Sequence, residues 1–153
     1  MMSRTYGEVT FENAINIIKN SVKANPHLEH RVTIGCDSQN FDYTKRVIVI
    51  AVHRVGKGGF FFYETERINR LNDLRTKIYH ETHICLEMAT KVSEAFVDCG
   101  ENVDVIVHVD IGHNGPTSRM IREIVGWVES LGFPCVIKPD SYAASWIANK
   151  LSK

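Results

Sequence analysis

The sequence predicts an α/β fold: a mixed five-stranded sheet, part antiparallel meander and part parallel, with helices on both faces. Three observations predict it. The apolar, β-branched runs RVTIGCD, RVIVIAVHRV and FFFYETERI follow one another through short connections, which favours an antiparallel meander. Two further strand-like runs, VDVIVHVD and PCVIKPD, then alternate with helical patterns, which adds parallel strands. The chain has 153 residues, 44% apolar and 24% charged, which suits a single domain over 1–153 with a real core.

The elements follow in order. Residues 10–24, TFENAINIIKNSVKA, put Phe11, Ala14, Ile15, Ile18 and Val22 on one helical stripe behind Thr10 as N-cap. Asn25-Pro26 ends that helix. RVTIGCD is a short strand ending in Asp37, and SQNFDYTK is a loop. RVIVIAVHRV is continuous enough in apolar character to be a central strand. GKGG is a hairpin turn and FFFYETERI the return strand. Residues 73–98 carry a long helical pattern, with Gly100 placed to stop it. VDVIVHVD ends in Asp110. The loop IGHNGP leads into the helix TSRMIREIVGWVESLG, with Pro116 near its start and Gly132 just past its end. After PCVIKPD the segment SYAASWIANKLSK is a closing helix, with Asp140 as its N-cap.

Composition excludes several classes. The formal net charge is zero, so the chain is no strongly basic coat for nucleic acid, although a local basic patch remains open. No apolar run is long enough to cross a membrane, and no membrane partner is expected. MMSRTYGEVTFEN lacks an apolar signal-peptide core. Cys36, Cys85, Cys99 and Cys135 are scattered without a C-x-x-C pair, so reduced thiols in a cytoplasmic protein are expected. GHNGPTS lacks the lysine and spacing of a P-loop, and no nucleophile elbow is present. A zinc site drawn from His80, His83 and His108 lacks cysteine partners at ligand spacing.

Four carboxylates carry the chemistry. Asp37, Asp110 and Asp140 fall at or just past the carboxyl ends of strand-like runs, where ligands of such sheets collect. Glu81 shares a helical face with Ile78, Cys85, Met88 and Val92, and so points at the sheet, whereas Glu94 lies opposite. Buried acids are costly unless compensated, and divalent cations are the usual compensation. Taken singly, each strand acid also fits an Asx-turn or a helix cap, and Glu81 also fits a side chain snorkelling to solvent. Their joint occurrence in this element order points to a site.

With these residues in place, the chain resembles the ribonuclease H-like superfamily, whose members place acids on the first strand, the first helix after the meander, the end of the fourth strand and the start of the last helix. Asp37, Glu81, Asp110 and Asp140 match those places in order over residues 30–153, with the helix at 10–24 as an addition. GCDSQ, HVDIG and KPDSYAAS further resemble the YkuK-type ribonuclease H-like family, whose function is largely unassigned. The resemblance implies a nuclease hydrolysing phosphodiester bonds in RNA, RNA–DNA hybrid or DNA with two Mg²⁺ or Mn²⁺ ions. Asp37 would bridge both ions, Glu81 and Asp110 would hold one, and Asp140 the other. His113 is the candidate proton shuttle. Ser38, Gln39, Lys138 and Ser141 flank the acids as candidate substrate contacts. Arg70 and Arg75, with Arg67 and Lys77, form either a phosphate-tracking patch or a solvated charged face. Two alternatives stay open: a module of this fold that binds nucleic acid or protein without cutting, and a dimeric junction-resolving nuclease. Trp127, Trp146 and Phe133 would be core or dimer interface.

Overall fold

A computed structural model describes residues 1–99 and 103–153. Gly100, expected to stop the long helix, lies outside the described residues. Helix α1 (Phe11–Ala24) starts as its sequence dictates: Thr10 Oγ1 accepts a hydrogen bond from Asn13 N at 3.0 Å, and Asn25 caps the far end. Its stripe of Ala14, Ile15, Ile18 and Val22 is buried.

The meander is β3 (His30–Asn40), β4 (Thr44–Arg54) and β5 (Gly58–Ile68), all antiparallel. It is preceded by a small hairpin of β1 (Met2–Ser3) and β2 (Gly7–Glu8), which docks on β5 through Met2 opposite Tyr63. Strand β6 (Val103–His108) runs parallel to β3, and β7 (Cys135–Val136) parallel to β6. The sheet order is therefore β2-β1-β5-β4-β3-β6-β7. Its five-stranded centre is the expected one. The two extra edge strands are too short to leave an alternating pattern in the sequence.

Strand β3 is longer than expected. It runs through Asp37 to Asn40, so most of the expected loop SQNFDYTK is ladder and only residues 41–43 turn. Polar side chains disguised this stretch because hydrogen bonds, rather than apolar contacts, satisfy them. Thr44 Oγ1 donates to Asn40 Oδ1 at 2.6 Å and accepts from Leu71 N at 2.8 Å. The pairing of β3 with β6 ends at Gly35 opposite His108, so the carboxyl half of β3 projects beyond its parallel neighbour. The last strand shrinks from the expected PCVIKPD to two residues.

Helices cover the faces unequally. On one face α1, α2 (Leu74–Ala95) and α3 (Ile121–Ser130) enclose a core that includes Ile18, Ile34, Ile50, Phe62, Leu86 and Ile124. On the other, a single closing helix covers Val47, Val49 and Ala51 with Ala143 and Ala148. That helix is π-helical over Ala143–Ala148 and α-helical over Asn149–Ser152. It approaches the sheet closely because β3 offers Gly35 beneath it: a Cβ there would stand 2.5 Å from the carbonyl carbon of Ala143. Among the described residues no helix is long and apolar enough to cross a membrane.

Candidate carboxylate site

The alternation of β3 sends successive side chains to opposite faces and divides the site's parts between them. Asp37 shares the face of Gly35 and reaches the closing helix. Its Oδ2 accepts from Ser152 Oγ at 2.7 Å, Asn149 Nδ2 at 3.3 Å and Gln39 Nε2 at 3.5 Å. Ser38 takes the opposite face and donates to Glu81 Oε1 at 2.6 Å. Glu81 rises from the sheet side of α2, whose start is capped by Asp73 accepting from Thr76 N at 2.8 Å. Lys77, one turn earlier, brings its ammonium to 3.9 Å from Glu81 Oε1. Asp110 lies just past β6. Its Oδ1 accepts from Ser145 Oγ at 2.7 Å and pairs with Lys138 Nζ at 3.1 Å.

Electrostatics tie these three acids together. Asp37 and Glu81 are nearly inaccessible, at 1% and 2% exposure. Burial pushes the Glu81 carboxyl up to about 8, the neighbouring Asp37 and, less strongly, Asp110 add to the rise, and Lys77 and Ser38 oppose it. Burial also raises Asp37, against the hydrogen bond from Ser152 and the charge of Lys77. A glutamate pushed up this far sits where burial, more than its acidic neighbours, makes its charge costly.

Asp140 does not join them. Its side chain is exposed and caps no helix. The N-cap of the π-helical segment is Tyr142, without a side-chain cap, and the Ser141 carbonyl accepts from Ala144 N and Ser145 N at 3.2 and 2.8 Å. The Asp140 amide donates to Ile137 O and its carbonyl accepts from Tyr142 N, a turn that leaves the carboxylate at the surface. Its charge acts instead on His108, whose Nδ1 accepts from Ala143 N at 3.2 Å. Burial lowers that imidazole to about 4 despite Asp140.

The remaining expected residues divide as follows. Ser38 and Gln39 touch the carboxylates, Lys138 pairs with Asp110, and buried Ser141 bonds Ser145 at 2.6 Å through the two hydroxyls. His113 is exposed on its loop. The basic cluster is split: Arg75 binds Glu123 at 2.6 Å, Arg67 lies over the Tyr43 ring, Lys77 turns to Glu81, and Arg70 is exposed. The histidines of the zinc alternative are engaged elsewhere: His80 bonds Arg46 at 3.0 Å, His83 pairs with Glu87 at 2.6 Å, and His108 accepts from Ala143 N. Sequence reasoning missed Ser145, Asn149 and Ser152. The available signal was their spacing with Ser141 along one face of the closing helix.

Among the described residues no three His, Cys, Asp or Glu side chains stand close enough to hold an ion as they lie. The carboxylate oxygens are turned to hydroxyls and ammonium groups instead. The donor chemistry nevertheless fits a hard divalent cation, since three carboxylates and three hydroxyls supply only oxygen.

A meander followed by parallel strands, with Asp37 on the projecting half of β3 and Asp110 just past β6, is the arrangement that the sequence resemblance led us to expect. The chain belongs to the ribonuclease H-like family, whose sequence model matches residues 13–153. It is 33% identical over 159 residues to the uncharacterized protein YkuK of Bacillus subtilis (strain 168), covering 95% of this chain and 92% of that one, and is a YkuK-type member. Two solved structures of the Mos1 transposase catalytic domain with raltegravir, one with Mg and one with Mn, align with 84% of this chain at 15% identity. Their TM-scores are 0.31 and 0.30, and the chain spans 62% of their length, so they carry no statement about its chemistry.

Proposed function

We propose that the protein is a metal-dependent nuclease that hydrolyses phosphodiester bonds in RNA, RNA–DNA hybrid or DNA. One observation carries the reading: Asp37, Glu81 and Asp110, drawn from three different elements, act on one another at the carboxyl ends of β3 and β6, two of them buried. Such a cluster is destabilising unless a cation or protons neutralise it. Asp37, Glu81 and Asp110 would hold one Mg²⁺ or Mn²⁺ ion, and Asp140 would help to hold a second. A bound ion of this kind polarises a phosphoryl oxygen and lowers the pKa of a bound water. The chain's own contribution is orientation: Ser152 and Asn149 fix Asp37, Ser38 fixes Glu81, and Ser145 fixes Asp110.

The test is a cleavage panel of RNA–DNA hybrid, single strands and a four-way junction, each with Mg²⁺ or Mn²⁺, run beside Asp37→Asn. Cleavage of one substrate by the wild type alone supports the reading and names the substrate; the junction alone would select the dimeric resolving nuclease. A second reading has its own observation. Lys77 and Lys138 already stand beside Glu81 and Asp110, as they would in a binding module that needs no metal. A melting temperature unmoved by saturating Mg²⁺ and Mn²⁺, with no cleavage, selects that module.

A further inference from the structure

A groove of about 430 Å³ lies on the thinly covered face of the sheet, away from the carboxylates and used by none of the chemistry above. Ala51, His53 and Phe61 form its floor, and Tyr142, Trp146 and Ile147 of the closing helix form its wall. Trp146 is 67% exposed, so most of its ring is open to a ligand. A smaller pocket continues the groove past Trp146 to Arg4 and Lys150, sharing Phe61, Trp146 and Ile147. Lys150 Nζ sits 5.5 Å from the centre of the Trp146 ring. Neither Arg4 nor Lys150 is in an ion pair among the described residues, and no carboxylate lines either pocket.

Flat exposed rings beside unpaired cations, without acids, suit a ligand that is aromatic and anionic together. The volume falls in the range of small-ligand sites. We propose that this groove binds a base of single-stranded nucleic acid, stacked on Trp146, with the adjoining phosphate on Lys150 and Arg4. The proposal takes its substrate class from the nuclease reading. The geometry links the two sites. Trp146 follows Ser145, which bonds Asp110, and Ala51 lies four residues along β4 from Val47, the partner of Asp37. Four residues of strand span about 13 Å, so a strand of a few nucleotides reaches from the groove to the carboxylates. A base held there would set which stretch of a strand meets the acids.

The test uses Asp37→Asn protein carrying Trp127→Phe, so that Trp146 is the one tryptophan left. Short oligothymidylate and oligouridylate should quench its fluorescence saturably and less at high salt. In the Asp37→Asn background with Trp127 intact, Trp146→Ala should weaken binding of a labelled oligonucleotide about tenfold or more. Lys150→Gln should flatten the salt dependence. Circular dichroism checks that each variant is folded. Equal affinity with and without the Trp146 ring overturns the proposal. So does a Trp146-dependent dimer in sedimentation, which would make the groove an interface between two copies. Cleavage by wild type with Trp146-independent binding removes the groove and leaves the nuclease. Trp146-dependent binding without cleavage by wild type under either metal keeps the groove and removes the nuclease.

Discussion

The two faces of the sheet are built by different rules. The face under α1, α2 and α3 is thick and apolar, and its one deep acid, Glu81, is an intruder among Ile78, Cys85, Leu86 and Ala89. The other face is covered by one short helix whose apolar contacts are few and whose polar side chains, Ser145, Asn149 and Ser152, are aimed at Asp110 and Asp37. The thick face supplies stability and can carry a misplaced charge. The thin face supplies orientation and depends on close approach. Disturbing each face separately should therefore break different properties.

The largest expected effect is on the thin face. Gly35→Ala puts a methyl group against the Ala143 backbone, which cannot yield as a flexible side chain would. The closing helix must lift, costing about 2 kcal/mol or more, and its serines leave both aspartates. Calorimetry should show a fall in melting temperature of about 5 °C or more, with loss of any metal response. A Gly35→Ala protein that melts like wild type would mean that the helix is not seated on β3.

On the thick face the disturbance is Glu81→Gln, and pH gives its sign. Burial pushes the folded Glu81 carboxyl up to about 8, from an ordinary value of 4.5. A raised folded pKa contributes stability that is fully present below the unfolded value and is lost as pH rises through the folded one. Without metal, wild type should lose on the order of a few kcal/mol between about pH 4.5 and 8 through this group. Glu81→Gln should lack that loss and be the more stable protein at pH 8 in EDTA. Parallel denaturation curves for the two proteins across this range would remove the buried charge from the account.

The same contrast explains what the sequence made legible. The thick face obeys periodicity, so the meander, the helical stripe around Glu81 and the order of elements could all be read from it. Asp37 and Asp110 were visible because each ends an apolar strand run, and Glu81 because it sits on an apolar helical face. The thin face gave weaker signals. At the end of β3, Ser38 to Asn40 looked like a loop whichever face each side chain takes, because side-chain hydrogen bonds replace apolar burial as the sign of a strand. Asp140 looked like a cap because Asp followed by a helix usually is one, and only the turn through Ile137 and Tyr142 shows that its side chain caps nothing. The serine stripe near the end of the chain was overlooked because hydroxyls on a short helix read as surface.

A smaller effect separates orientation from bulk stability on the thin face. Ser152 is buried, and its single hydroxyl proton has two acceptors in range, Asp37 Oδ2 at 2.7 Å and Asn149 O at 2.9 Å. Ser152→Ala removes a donor from a buried carboxylate, at a cost of about 1–3 kcal/mol. Losing that bond should raise the Asp37 carboxyl further, since the bond now holds it down. Ser152→Thr, which keeps the hydroxyl, should restore most of the loss; equal instability in both variants would mean that packing, not the hydrogen bond, is at stake.

The smallest effect on stability should come from Lys138→Ala, and it is the most informative about function. Lys138 Nζ is 3.1 Å from Asp110 Oδ1, but half of its side chain is exposed, at 48%, so solvent screens the pair. Its removal should change stability by no more than about 1 kcal/mol. The ammonium nevertheless occupies the oxygen that a divalent cation would need, and the two compete for one carboxylate. If the cluster is a metal site, Lys138→Ala should bind Mn²⁺ more tightly, by about three- to tenfold in calorimetric titration, because the ion no longer displaces a lysine. If the lysines are permanent counter-ions of a binding module, the same variant leaves Asp110 unpaired without gaining any affinity for Mn²⁺.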